Sequence, residues 1–373
     1  MSNAVDWDLA RKVANKVSGR EPVTDKVLVE SLQPDLEALT RQAEELVAVE
    51  TGLPSLAGPA RARVADRMMW VDANLASFDR LMRPLLGRLD DDPVDREPGR
   101  LSRLTEPLAR VTEPIGRAVG PRVAGVEMGA MLGWMSTRVI GQYDLLIIED
   151  ERPEDQDWVY YVAPNVLGLE KRYGFAPREF RLWIALHECT HRAQFTGVPW
   201  LRPYFLSLVN ELLDSVDPDP DRVVAALKQA VEARRSGSKG SLDGGLSVLL
   251  ASPEQKRVLD RITGLMSLLE GHGDITMDRA GRGLIPGQPR FARVMSQRRS
   301  SASGPSKFFQ KLLGFEAKLA QYAEGEKFVS TVEAAGGREL FDQVWKSADM
   351  LPDIAEIRDP GLWIARVDTP VRG

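Results

Sequence analysis

The sequence predicts an α+β fold in which helices dominate, and three observations predict it. Apolar residues recur at three- and four-residue spacing over most of the chain, as Leu36, Leu39, Ala43, Leu46 and Val47 do. Two neighbouring segments, RVIGQYDLLII (Arg138 to Ile148) and DWVYYVAPN (Asp157 to Asn165), are instead rich in β-branched and aromatic residues and flank a charged turn. After them, the stretch WIALHECTHRAQF (Trp183 to Phe195) carries two of the three histidines in 373 residues, four apart.

Helical periodicity opens the chain, with helices expected at Trp7–Val17, Pro34–Thr51, Ala60–Leu85 and Leu101–Val119. Clusters of proline, glycine and aspartate such as DDDPVDREPG separate them. Val123 to Ser136 is the most apolar segment, but it carries Glu127 and falls short of the roughly 20 apolar residues a membrane span needs. Its Gly125, Gly129 and Gly133 recur every four residues and form one stripe, which suits a soluble helix packed closely on another. The two β-rich segments then read as a hairpin-like pair of strands.

A helix starts at Pro177, where proline suits the first turn, and runs to Phe195. Pro203–Val216 and Pro220–Arg235 read as helices before the glycine- and serine-rich loop Ser236–Gly245. Helix resumes over Pro253–Asp278. Gly281 to Pro305, rich in glycine, proline, serine and arginine, reads as a long loop or lid; the arginines of Arg290 to Ser301 could line a cleft mouth and recognise a carboxylate or phosphate, but a solvated basic loop is preferred. From Lys307 the chain reads mostly helical again, and it has no internal repeat.

Composition narrows the partners. A net charge of −5 and a pI near 5.5 give no global electrostatic reason to bind nucleic acid or an anionic membrane, which leaves peptides or small molecules. The single cysteine, Cys189, excludes an intramolecular disulfide, and the N-terminal residues contain no apolar signal-peptide core, so the cytoplasm is the expected compartment.

On a helix, residues four apart share a face, so His187 and His191 can present two imidazoles to one metal ion. Glu188 lies about 100° around the helix from His187, placed to reach a water on that ion without ligating it. This is the HExxH arrangement of metallopeptidases, in which the glutamate is general base. Catalytic zinc takes three protein ligands and an open position, so a third ligand must come from elsewhere. Glu270 and Asp274, four apart on the predicted helix carrying LMSLLEGHGDITMD, form a pattern that resembles the gluzincin branch of zinc peptidases. There the glutamate is the third ligand and the aspartate accepts a hydrogen bond from a ligating histidine. His272 is the rival third ligand, about 200° around that helix from Glu270, and Glu270 is preferred. Cys189 faces away from the metal and reads as a small core residue. The metzincin pattern fails, since Gly197 stands where its third histidine belongs.

The HECTH helix, LLEGHGDITMD and KLLGFEAKLAQYAEGEKFV, with VDWDLARKVA and LPDIAEIRDPGLWIARV near the ends, together resemble an actinobacterial family of predicted type 2 zincin-like metallopeptidases. Some members of that family are labelled as associated with deazaflavin-coenzyme biosynthesis. The resemblance implies a zincin-like core, its metal-binding helix packed on a small sheet, inside a largely helical protein; the expected division of the chain is a helical N-terminal region at 1–119, the metal-binding core at 120–285, and a loop and helical C-terminal region at 286–373. It makes His187, His191 and Glu270 ligands of Zn2+, Glu188 the catalytic carboxylate and Asp274 their outer support.

The expected activity is hydrolysis of an amide bond by metal-activated water, with Glu188 as general base. Tyr160, Tyr161 and Tyr322 are candidate oxyanion stabilisers, and the strand WVYYV offers an edge on which an extended peptide could pair. Two alternatives stay open: a zinc hydrolase of a small non-peptide metabolite linked to cofactor metabolism, and an inactive zinc-binding scaffold.

Overall fold

Asp6 starts the first helix, α1 (Trp7–Ser18), by accepting a hydrogen bond from the Leu9 backbone N–H at 2.9 Å, as an aspartate N-cap does. The structure, a computed structural model, describes residues 5–22, 26–91, 121–144, 157–214, 253–300 and 315–368. The expected helices Leu101–Val119 and Pro220–Arg235 and the Ser236–Gly245 loop lie outside those residues. The chain forms two units, one of Met1–Arg41 with Ala60–Pro177, the other of Gln42–Pro59 with Arg178–Gly373.

α2 (Lys26–Thr51), whose residues up to Arg41 belong to the first unit, begins earlier than Pro34, which sits inside the helix. Tertiary contacts hold the extra turns: Gln33 Nε2 donates to the Ala62 carbonyl at 2.8 Å, and its Oε1 accepts from the Val64 N–H at 2.9 Å. Those two partners belong to β1 (Arg61–Ala65), a strand inside the segment expected to be one helix over Ala60–Leu85. Helix resumes as α3 (Arg67–Asp91), where Asp66 accepts from the Met69 N–H at 2.6 Å and so restarts it.

The expected strand pair is present as β2 (Gly141–Tyr143) and β3 (Trp158–Val162), antiparallel with Gln142 opposite Tyr160. β1 pairs in parallel with the other side of β3, Arg63 opposite Tyr160, giving the order β1-β3-β2. The fold class is therefore α+β with a small three-stranded sheet. WVYYV is its central strand, so the edge expected to receive a peptide is already filled on both sides.

Residues 121–136 form α4, and its glycine stripe acts as expected. A Cβ on Gly129 would lie 2.2 Å from the Ala10 carbonyl oxygen and one on Gly133 2.6 Å from that of Ala14, so α4 meets α1 backbone to backbone. Trp70, Val71, Leu75 and Leu132 complete that core with Val162. α5 (Ala163–Tyr173) follows β3 directly. Among the described residues, no helix is long and apolar enough to cross a membrane.

The second unit holds α6 (Pro177–Gly197), α7 (Leu201–Asp214), α8 (Pro253–Ala280), α9 (Gln288–Ser300) and α10 (Phe315–Phe341), the last interrupted at Gly336 and Gly337. α11 (Ile354–Arg358) and α12 (Pro360–Asp368) close it, with Trp363 buried against Phe328. α8 and α10 cross at two glycines: a Cβ on Gly271 would stand 2.1 Å from the Gly325 carbonyl carbon, and one on Gly325 2.0 Å from the Ser267 carbonyl oxygen. The expected long loop at Gly281 to Pro305 contains α9 instead. Its Phe291 packs edge-on to Phe180 and Trp183 of α6, and Glu179 accepts from the Gly287 N–H at 2.7 Å. One buried aromatic and one anchored end outweigh a composition that reads as loop, while Arg290 and Arg293 face solvent as expected.

Candidate metal centre

From Leu182 to Thr196 every residue of α6 is buried except His187 and His191. The helix is enclosed by apolar packing at Trp183, Ile184 and Leu186, and by the buried Arg192, which pairs with Glu44 and donates to the Gly58 carbonyl at 2.7 Å. Cys189 is buried, as its core role requires. The sequence thus seals the helix on all sides and leaves two adjacent imidazoles partly open to water.

Those imidazoles face each other, Nε2 to Nε2 at 3.2 Å, with their rings nearly perpendicular at 88°. Glu270 arrives from α8 with Oε2 3.6 Å from the His191 Nε2 and 3.9 Å from the His187 Nε2. One donor atom from each of the three residues lies within 4.8 Å of the others. Asp274, one turn further along α8, stands with Oδ1 3.9 Å from the other nitrogen of His187, Nδ1, the atom a supporting carboxylate should face. Glu188 is buried beside them and bears electrostatically on His191.

His272 is elsewhere. Its ring is buried, stacked on Phe341 at 5.4 Å and edge-on to Trp345 at 5.1 Å. Glu270, not His272, is the residue of that helix brought to the imidazole pair. Of the tyrosines considered for oxyanion stabilisation, the buried Tyr161 shares a 2.7 Å hydrogen bond with Thr40, and Tyr160 lies in the sheet under Arg63. The Tyr322 side chain lies outside the described residues.

The electrostatics match the geometry. Burial works to lower the His191 pKa, but the hydrogen bond and charge of Glu270, with the charge of Glu188 and a hydrogen bond to Gln194, push it up to about 9. The carboxylates that favour a positive charge on this ring would equally favour a cation placed between the two imidazoles. His272 moves the other way, to about 3, because it is buried and close to the cations Arg338 and Arg279 and to His191.

Sequence reasoning missed Gln194. Fully buried, it joins His191 to His272, its Oε1 3.0 Å from His191 Nδ1 and its Nε2 2.9 Å from His272 Nδ1. Its position three residues after His191, on the same helix face, was the available signal.

A family model described as zincin-like metallopeptidase matches residues 5–364. The chain belongs to the zincin-like metallopeptidase family. A crystal structure described as that of a "putative hydrolase with a novel fold" from Chloroflexus aurantiacus is similar throughout, with a TM-score of 0.67 and 30% sequence identity over 98% of this chain and 99% of that one. No curated protein matches the chain significantly.

Membership of the zincin-like metallopeptidases implies a bound metal ion, usually zinc, and the donor set fits one. Zinc bonds of about 2.0–2.1 Å at tetrahedral angles set ligand atoms about 3.4 Å apart. The three separations here, 3.2, 3.6 and 3.9 Å, bracket that value. Two neutral imidazoles and one carboxylate are also a standard catalytic-zinc set.

Proposed function

We propose that the protein is a zinc-dependent hydrolase of gluzincin type that cleaves an amide bond. One observation carries this reading: the only two partly open residues in the Leu182–Thr196 stretch of α6 meet a carboxylate from another helix, with all donor atoms within 4.8 Å. Zinc held by His187, His191 and Glu270 would polarise a carbonyl and lower the pKa of a bound water toward about 7. Glu188 would serve as the general base, taking a proton from the attacking water and passing it to the departing nitrogen. Asp274 steadies the His187 ring from its outer nitrogen.

The substrate is a peptide or a small amide, with no nucleic acid or membrane partner, and the compartment proposed is the cytoplasm. Because WVYYV has no free edge, pairing of an extended peptide along that strand does not support the peptide arm. Peptide libraries assayed beside metabolite amides, deazaflavin-coenzyme precursors among them, separate the two classes. The intact Glu188 counts against an inactive scaffold.

Metal analysis of the purified protein with Glu270→Ala and His272→Ala tests the ligand set. Metal lost only in the glutamate variant is expected; metal lost only in the histidine variant would overturn the choice. Glu188→Gln is expected to keep its zinc while turnover falls at least about a hundredfold, the usual contribution of a general base.

A further inference from the structure

The carbonyl of Leu269, on α8, is a pure acceptor, and Gln194 reaches it from α6 at 2.9 Å. Only the amide nitrogen of Gln194 can donate to it, so that contact fixes which end of the side chain points where. The second hydrogen of the same nitrogen points to His272 Nδ1 at 2.9 Å, which must then be an acceptor. His272 therefore carries its proton on Nε2, the atom 3.5 Å from the Thr276 hydroxyl. The Gln194 oxygen is left facing His191 Nδ1 at 3.0 Å, which requires that nitrogen to hold the proton. In the neutral ring the lone pair is then on Nε2, the atom turned toward His187 and Glu270.

We propose that Gln194 is the positioning residue of the metal site, an amide oriented by the Leu269 carbonyl and His272 that holds His191 in the one tautomer able to ligate. The inference rests on the zinc-hydrolase reading above. It also explains what the third histidine does. His272, packed between Phe341 and Trp345, is the fixed end of a chain of hydrogen bonds whose other end is the ligand. His191 and His272 carry opposite tautomers, and one backbone carbonyl dictates both.

The test uses the full-length protein and zinc alone. Chelator competition measures zinc affinity for the wild type, Gln194→Met and Gln194→Glu. Imidazole ¹⁵N–¹H NMR reads the tautomers, and a protein with three histidines gives three ring systems to assign. Met fills the space without accepting from His191, so its zinc affinity is expected to fall 10- to 100-fold, the usual loss when such an outer partner goes. Glu keeps the acceptor and loses the donor. It should hold zinc within about tenfold of wild type, while His272 moves its proton from Nε2 to Nδ1 to reach the new carboxylate. A Met variant that binds zinc as tightly as wild type overturns the proposal, as does a Glu variant in which His272 keeps its tautomer. A wild type that binds no zinc instead removes the hydrolase reading itself, so the two failures are distinguishable. The tautomer switch is a readout that a merely space-filling Gln194 would not move.

Discussion

Zinc binding should depend steeply on pH, and the structure sets the window. The metal needs the His191 Nε2 lone pair, but in the metal-free protein that ring titrates at about 9 because Glu270 and Glu188 favour its cation despite burial. At pH 7, two units lower, the protonated ring outnumbers the free base about a hundredfold. The apparent association constant for zinc should therefore rise at least about tenfold per pH unit from 7 to 9, with at least one proton released per zinc bound in that window. The sign follows from the raised pKa: lowering the pH strengthens the competitor. Competition against a chelator of known pH dependence, with proton release followed by calorimetry in two buffers, measures both. Glu270→Gln removes the main cause of the rise and should bring the titration of the His191 ring, followed by NMR in the metal-free protein, down from about 9. Zinc affinity independent of pH between 7 and 9 would refute the picture of a proton held where the metal sits.

Three further outcomes are expected. His272, held neutral with its pKa down near 3, gains a proton on unfolding whenever the pH is below its ordinary 6.5. Its share of stability is therefore complete above 6.5 and lost as the pH falls, by about 1.4 kcal/mol per unit, so the stability difference between wild type and His272→Gln should be constant above pH 6.5 and shift against the wild type below it. Gly271→Ala forces a methyl group into the backbone of Gly325 and Glu326, at 2.1 and 2.4 Å, and should cost about 1–3 kcal/mol or more in urea unfolding while weakening zinc binding through the adjacent Glu270. Phe291→Ala removes a fully buried ring from Phe180 and Trp183 and should cost about 3–5 kcal/mol, where a mobile lid would lose almost nothing.

Much of the site was legible because its parts are local. Four residues along a helix is a fixed distance, so His187 with His191, and Glu270 with Asp274, could be placed on common faces before any coordinates. That the two faces meet was an inference from the chemistry of zinc, which needs a third ligand. What stayed hidden depends on contacts distant in sequence. RARVA reads as helix until β3 lies beside it and Gln33 caps its outer side. The α9 segment reads as loop because its glycine, proline and arginine are visible in sequence, whereas the pocket that takes Phe291 is not. Which of Glu270 and His272 meets the imidazole pair was undecidable from spacing alone, since both lie on one helix; Phe341 and Trp345, some seventy residues onward, claim the histidine.

The bare crossing of Gly271 and Gly325 has a consequence for Glu270, the residue next to it. With no side chain in the joint, the two helices have neither a cushion to compress nor a gap to adjust, and sliding by one residue in either direction brings a bulky group into a space sized for hydrogen. The height at which Glu270 meets the imidazoles is thus set by missing atoms, and the bite of the site should prove far less adjustable than that of one hung on a loop.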